Sequence, residues 1–170
     1  RDVADRLALH LGQRPEPVSC ESFNEDRHKR GDSGAGQELI EAVVVPETWF
    51  FRDPAAFAAL AAMARSELVA NPARADLRLL SLPCSSGEEP YSMAIALLDA
   101  GVPANRFRID GVDVSARVIA LAERGSYGVN SFRGHEHGFR DRHFQPAAPG
   151  RWQLRDEVRA RVRLQQGNLF

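Results

Sequence analysis

The spacing of apolar and polar positions divides the middle of this chain into alternating short and long elements. Residues 77–82 form an apolar run of buried-strand length. A polar loop follows at 83–87. Residues 88–100 then read as a helix, with apolar Met93, Ile95, Ala96, Leu97 and Leu98 and a stop at Gly101. Residues 107–112 are a second apolar strand. Ser115 caps a further helix through Arg124, and Gly125 ends it. Upstream, Asp53 is an N-cap with Pro54 at the first helical position. The Ala-rich stretch to about residue 70 is predicted helix, closed by Asn71 and Pro72. Residues 39–45 end a helix or form a short strand, which Pro46 stops. Further on, 152–154 and 162–165 read as strands. Alternating Val158, Ala160, Val162 and Leu164 fit a half-buried strand. The Arg-rich segment 151–163, with interleaved Asp156 and Glu157, is therefore expected to be a solvated strand pair.

Strand, helix, strand, helix implies βαβ units, parallel strands and a right-handed crossover, so the fold class is α/β. Ligands of such sheets sit beyond the carboxyl ends of the strands, where each informative polar cluster here falls. Residues 1–38 carry a weaker pattern. A short helix is predicted over 1–11, with Leu7 and Leu11 on one face. Pro, Gly, Ser and charge over 12–36 favour loop or disorder. The chain thus divides into a partly flexible N-terminal segment, 1–38, and a domain over 39–170. No internal repeat is evident.

Composition narrows the function classes. At 170 residues the chain suffices for one ordinary domain and a small appendage. A net charge of −1 argues against a general nucleic-acid or anionic-membrane binder. Cys20 and Cys84 lie far apart, so a disulfide framework is not indicated and a reducing cytoplasmic setting fits. No apolar run is long enough to span a bilayer, and no basic-then-apolar leader suggests export. The chain starts at Arg1 and stops at Phe170 just after a strand, so both ends read as cuts in a longer protein.

The loop Pro83-Cys84-Ser85-Ser86-Gly87 and the helix start Glu88-Glu89-Pro90-Tyr91-Ser92 are the most informative stretch. Gly87 can take positive φ and let a ligand approach the backbone. The helix N-terminus behind it offers unpaired N–H groups. The full G-x-G-x-x-G spacing is absent, as is the Gly-Lys-Ser/Thr ending of a phosphate loop. Glu88 and Glu89 would repel phosphates but attract a cation, and Glu89 is the candidate partner for an ammonium group. Both glutamates equally suit a helix N-terminus with no ligand at all. Asp113 closes the second strand, where an acid commonly accepts hydrogen bonds from a ribose diol; its two oxygens match two hydroxyls. Capping the next helix is the alternative, but Ser115 already serves there. Asp110 reads as mid-strand and exposed.

Five blocks carry a resemblance. Glu47-Thr48-Trp49-Phe50-Phe51-Arg52-Asp53, Ser86-Gly87-Glu88-Glu89-Pro90-Tyr91-Ser92, Gly111-Val112-Asp113-Val114-Ser115, Arg124-Gly125-Ser126-Tyr127 and Gly167-Asn168-Leu169 resemble, in order and spacing, the CheR-type chemoreceptor methyltransferases. The resemblance implies a Rossmann-like fold dependent on S-adenosylmethionine: a mostly parallel sheet with flanking helices, a small antiparallel β subdomain, and a sheet left incomplete here. It implies methyl transfer from S-adenosylmethionine to receptor glutamates, giving methyl esters and S-adenosylhomocysteine. The alternative is a catalytically silent module that binds the cofactor or its product and regulates chemosensory signalling. By motif match, Thr48, Arg52, Gly87, Glu89, Asp113, Asn168 and Leu169 form the cofactor site. Arg52 would lie at the reacting end, Asp113 at the ribose, and Asn168 and Leu169 at the adenine. The partner implied is the cytoplasmic helical region of chemoreceptors, met by a monomer without nucleic acid or membrane insertion.

Departures from the family pattern temper this. Pro46 replaces an Asn, which removes one expected cofactor hydrogen bond. The family's N-terminal basic helical domain is not recognisable in residues 1–38. A further strand ending in an Arg-Asn pair, with a Tyr after it, is absent from this chain. Weak cofactor binding, little turnover, an exposed sheet edge and poor solubility are therefore expected of the 170-residue chain. The short turn between Phe144 and Trp152 argues against docking of a receptor pentapeptide. No metal is expected, although His135, His137 and His143 cluster; they lack a fourth ligand. Cys84, near a helix start, reads as a small filler rather than a nucleophile. Trp49, Phe50 and Phe51 offer aromatic faces to a cationic sulfur, yet at least two of the three are expected to pack.

Overall fold

The computed structural model describes residue 41 and residues 47–73, 76–134 and 138–167. All belong to the second of the two units into which the chain divides, Glu38–Phe170. Expectations for residues 1–38, His135, His137, Asn168 and Leu169 lie outside the described residues. So do those for Pro46 and, apart from Glu41, for the run at 39–45.

Helix α1, Pro54–Ala70, starts where Asp53 accepts a hydrogen bond from Ala56 N and ends at the C-cap Asn71. Strand β1, Leu77–Ser81, leads through the polar loop into α2, Glu88–Asp99. Strand β2, Phe107–Asp113, pairs in parallel with β1, from Leu77 opposite Phe107 to Ser81 opposite Gly111. Helix α3, Ala116–Arg124, is capped by Ser115, whose side chain accepts from Val118 N, and stops at left-handed Gly125. A second sheet then inserts: β3 (Ser126–Gly128), a 3₁₀ turn (Val129–Phe132), α4 (Gly138–His143), β4 (Phe144–Ala148) and β5 (Arg151–Leu154). Its order is β3-β5-β4, antiparallel. A single helical turn, α5 (Asp156–Arg159), returns the chain to β6 (Val162–Gln166), which pairs in parallel with β2. The main sheet is therefore β1-β2-β6, all parallel, with a small antiparallel sheet built into the crossover to its last strand.

Burial explains the order. Phe107, Ile109, Gly111 and Asp113 alternate as the buried positions of β2. Ile109 joins Ala94, Ile95 and Leu97 of α2 in the core. The aromatic residues form the other half of that core. Phe50 touches Tyr127 edge-on at 4.8 Å, stacks on Phe132 at 5.3 Å and meets Phe144 edge-on at 5.1 Å. The segment before α1 thereby clasps the second sheet. An ion cluster adds a link from α2 to α4: Asp99 accepts from Arg142 at 2.7 Å and lies 2.8 Å from His143 Nε2. Partial burial pushes the Asp99 carboxyl up, but these two partners outweigh it and hold the group below its ordinary value.

Three sequence expectations change. Segment 151–163 is not a strand pair: β5 pairs with β3 and β4, β6 pairs with β2, and α5 separates them. Asp156 and Glu157 sit in the first turn of α5 and Arg159 in its last, which suits the helix dipole. Val158 is buried through that helical turn rather than by strand alternation. Asp110 is mid-strand, yet it is half-buried and bridged by Arg78 at 2.9 Å. β4 gave no strand signal because Pro146 interrupts it; it is an outer strand with a register shift at Pro146/Ala148, where a Pro is tolerated.

Candidate functional site

The parallel strands β1 and β2 end side by side, and the loop after β1 folds across both tips. Cys84 N donates to Val112 O at 2.9 Å, and Gly87 N donates to Cys84 O at 3.0 Å. Ser85 and Gly87 adopt left-handed backbone, with φ of 48° and 93°. For a non-glycine such as Ser85 that conformation costs on the order of 1–3 kcal/mol. It is over-determined here by Asp113, whose Oδ2 accepts from Ser85 N at 2.8 Å. The other carboxylate oxygen, Oδ1, accepts from Ser115 N at 3.0 Å. Both oxygens thus already serve the backbone, and Asp113 is only 4% exposed. Its first physical role is to clamp the loop to the start of α3. Ser115, as expected, provides the cap of α3 itself.

Gly87 takes the positive φ its position predicts, and its packing gives a second reason for glycine. A Cβ there would stand 2.8 Å from Ala122 Cβ and 3.0 Å from the Tyr127 hydroxyl and the Tyr91 ring. Its bare side thus faces protein, and close packing of α2 on α3 requires it along with the positive φ.

The two glutamates separate into distinct roles. Glu88 is buried, and its carboxylate accepts from Ser86 Oγ at 2.7 Å and Ser131 Oγ at 2.8 Å. Burial pushes its pKa above the ordinary 4.5, against the pull of those two hydroxyls, its own backbone and Arg133. Glu89 is exposed, and its Oε1 accepts from Ser81 Oγ at 2.7 Å, at the tip of β1. Cys84 lies near both acids: burial first, then the charges of Asp113 and Glu89, push its thiol up to about 12. A thiol in that state is a buried filler, not a nucleophile. Ser81, which holds Glu89, pairs with Gly111, two residues before Asp113, so Glu89 and Asp113 share one end of the sheet.

A raised folded pKa means that Glu88 contributes most stability below the unfolded value and loses it as pH rises through the folded one. Glu88→Gln, which keeps shape and hydrogen-bond capacity, should abolish that decline above about pH 4.5. Urea unfolding of both proteins at pH 4.5 and 8 measures it; an unchanged pH slope would contradict the buried-acid account.

The segment 47–53 lies against this end through two bonds. Phe50 N donates to Ser131 O at 2.9 Å, and Phe51 N donates to Ser92 Oγ at 3.0 Å, which in turn donates to Glu88 O at 2.6 Å. Phe51 is left-handed, φ 54°, directly before Arg52. Strain of this kind is held where the surroundings fix it, and the non-glycine outliers among the described residues are Phe51, directly before Arg52, and Ser85, in the loop after β1. Arg52 is exposed, stacks over Trp49 at 4.8 Å and donates to Glu47 O at 3.3 Å. Thr48 is half-buried beside it in sequence. Phe50 and Phe51 are packing residues, as expected: Phe51 meets Phe57 and Phe139 at 5.2 and 4.6 Å. Gly167 N donates to Asp113 O at 2.9 Å, so the chain leading to Asn168 runs beside β2's tip.

The donor set fits a cationic, ribose-bearing ligand better than a phosphate: acids, and no lysine, stand at the glycine turn. Comparison with known proteins agrees. Residues 46–170 match the family model described as "CheR methyltransferase, SAM binding domain". This chain belongs to the CheR methyltransferase family. It is 58% identical over 140 residues to the probable biofilm formation methyltransferase WspC of Pseudomonas aeruginosa, covering 82% of this chain and 33% of that protein. Its identity to the WspC of Pseudomonas putida is 52% over 134 residues, covering 79% and 31%. Chemotaxis protein methyltransferase 2 of Vibrio cholerae is 31% identical over 135 residues, covering 78% and 47%. The chain thus spans about a third of the WspC proteins and under half of the Vibrio enzyme. Its domain is the S-adenosylmethionine-binding one, and S-adenosylmethionine is its cofactor. Among the described residues, no helix is long and apolar enough to cross a membrane and no cluster of three or more His, Cys, Asp or Glu is placed to hold a metal ion.

Sequence reasoning missed the serines. Ser81 holds Glu89, Ser92 holds Phe51, and Ser131 holds Glu88. Ser81 and Ser131 are isolated hydroxyls with no pattern to mark them, and Ser92 lies in a family block without a role of its own. Glu41 was missed too: it accepts from Ser115 Oγ and lies 3.5 Å from Arg117 Nε at the start of α3. A cavity of about 490 Å³ lined by Asp76, Arg78, Asn105, Phe107 and Arg108 opens at the amino end of the strands, opposite the carboxyl tips.

Proposed function

We propose that the full-length protein transfers the methyl group of S-adenosylmethionine to glutamate side chains of chemoreceptors in a chemosensory pathway. The observation that carries this reading is that Glu89, held by Ser81 at the end of β1, and Asp113, at the end of β2, stand at adjacent strand tips after a left-handed glycine turn. Glu89, exposed and steadied by Ser81, would take the cofactor's ammonium. Asp113 has spare lone pairs on both oxygens for ribose hydroxyls, and it fixes the loop that frames them. Thr48 would line the methionine end, and Asn168 and Leu169 the adenine. Relatives named as chemotaxis protein methyltransferases support the receptor substrate.

Bound S-adenosylmethionine supplies an electrophilic methyl group on a sulfonium. The chain's own task is positioning. A glutamate carboxylate is ionised near neutral pH, so no residue need remove a proton. Arg52, with its two-pronged donor geometry, would hold a carboxylate in line for displacement. Phe51, half-buried against Phe57 and Phe139 directly before Arg52, would limit water around that line.

The test is calorimetric titration of the full-length protein with S-adenosylhomocysteine, NAD serving as control. Transfer of labelled methyl to receptor glutamates is assayed in parallel as base-labile methanol. S-adenosylhomocysteine alone should bind. Glu89→Ala should weaken it about tenfold, the loss of one charge-assisted hydrogen bond. Binding of NAD instead, or an unaffected Glu89→Ala, would refute the site. Binding without transfer would leave a silent regulatory module.

A further inference from the structure

Arg133 lies in none of the blocks that assign site residues, yet three groups engage its guanidinium. Its Nε donates to Asn130 O at 3.0 Å. Its Nη1 stands 3.9 Å from Glu47 Oε1. Its Cζ lies over the Trp49 ring, 4.8 Å from the centre. Arg52 uses the same two residues, with its Cζ 4.8 Å from the same ring centre and its Nη1 donating to Glu47 O. We propose that Arg133 is a positioning residue for Arg52, acting through the Trp49 ring and Glu47. The inference rests on the role of Arg52 in methyl transfer proposed above.

Arg52 is long and exposed, so holding one pose costs it rotamer freedom at the moment of binding. A ring already fixed by a second cation removes part of that cost beforehand, because Trp49 can no longer turn away from Arg52. Two guanidiniums near one ring repel, and Glu47 answers both, one with its carboxylate and one with its carbonyl.

A purely structural role for Arg133 is weakly motivated. The 3₁₀ turn before it is already tied down by Phe50 N to Ser131 O and by Ser131 Oγ to Glu88. The Arg133 side chain is also 48% exposed, so folding does not depend on burying it.

The test is a double-mutant cycle on kcat/KM for methyl transfer by the full-length protein. Arg133→Ala should lower kcat/KM about fivefold, the scale of an exposed cation–π contact. Arg133→Lys, which keeps a cation over the ring, should return to within about twofold of the parent. Trp49→Leu, which removes the ring that both arginines share, should lose at least as much as Arg133→Ala. In an Arg52→Gln background the Arg133→Ala effect should nearly vanish, since its route to the substrate is gone. Equal losses in both backgrounds, or no loss in the single variant, overturns the inference. If the parent protein neither binds S-adenosylhomocysteine nor transfers methyl, the function proposed above fails and this inference with it. A fully active Arg52→Gln variant removes the role of Arg52 alone and leaves the methyltransferase reading standing.

Discussion

Phe50→Ala should destabilise the protein by about 3–5 kcal/mol, the usual cost of truncating a large aromatic in a closed core. Phe50 is 1% exposed and contacts Tyr127, Phe132, Phe139 and Phe144. Those partners come from β3, the 3₁₀ turn, α4 and β4, which together make up most of the inserted subdomain. No relaxation of one neighbour can fill the space left by a ring that four others surround. Phe50→Leu keeps most of the volume and should cost below about 1.5 kcal/mol. Urea unfolding measures both. If the alanine variant lost under about 1 kcal/mol, the aromatic cluster would not be what joins the subdomain to the sheet. The same substitution should loosen the site, because Phe50 N and Phe51 N are the bonds that set Arg52.

The chain announces its parallel half clearly and its inserted half poorly, and the reason is physical. β1, α2, β2 and α3 bury one face against a common core, so their apolar spacing is regular. The helix ends also carry local chemistry: Asp53 and Ser115 cap α1 and α3, and Gly101 and Gly125 stop α2 and α3. The inserted sheet draws its stability from long-range aromatic contacts. β3 is a three-residue strand and β4 contains a proline, so neither has a readable period. Segment 151–163 misled because Val158, in a helical turn of four residues, falls in phase with Val162 and Leu164 of β6. A period cannot be distinguished over so short an element.

The site was legible to the extent that it depends on motif and strand end. Glu89 and Asp113 fall at one end of the sheet, as the βαβ reading requires. The division of labour between Glu88 and Glu89 was not legible. Both suit a helix N-terminus equally, and only the fold decides which one meets Ser86 and Ser131 in the interior and which faces out. Likewise Gly87 was legible as a glycine turn, but the helix Cβ that forbids any other residue lies on α3, far along the chain.

Asp113→Ala should have the second large effect, because it removes the acceptor of two inward N–H groups at once. Ser85 N and Ser115 N would each lose a charged partner. At about 1–3 kcal/mol for each unsatisfied group, partly relieved by water, the loss should reach about 2–5 kcal/mol. The strain at Ser85 sharpens the effect: its left-handed backbone persists only while the carboxylate holds its N–H. The loop should therefore open before the whole domain unfolds. Cys84 reports on this directly. Its thiol is pushed up to about 12, first by burial and next by the charge of Asp113, so removing Asp113 lifts both causes together. In a Cys20→Ser background, reaction of Cys84 with a thiol reagent at pH 8 should speed up by at least about tenfold, a drop of one pKa unit alone giving that factor in thiolate. Asp113→Asn, which retains one acceptor oxygen, should fall between the two. A Cys84 as inert in Asp113→Ala as in the parent would mean that the loop holds itself, and Asp113 would then owe its place to the ligand rather than to the fold.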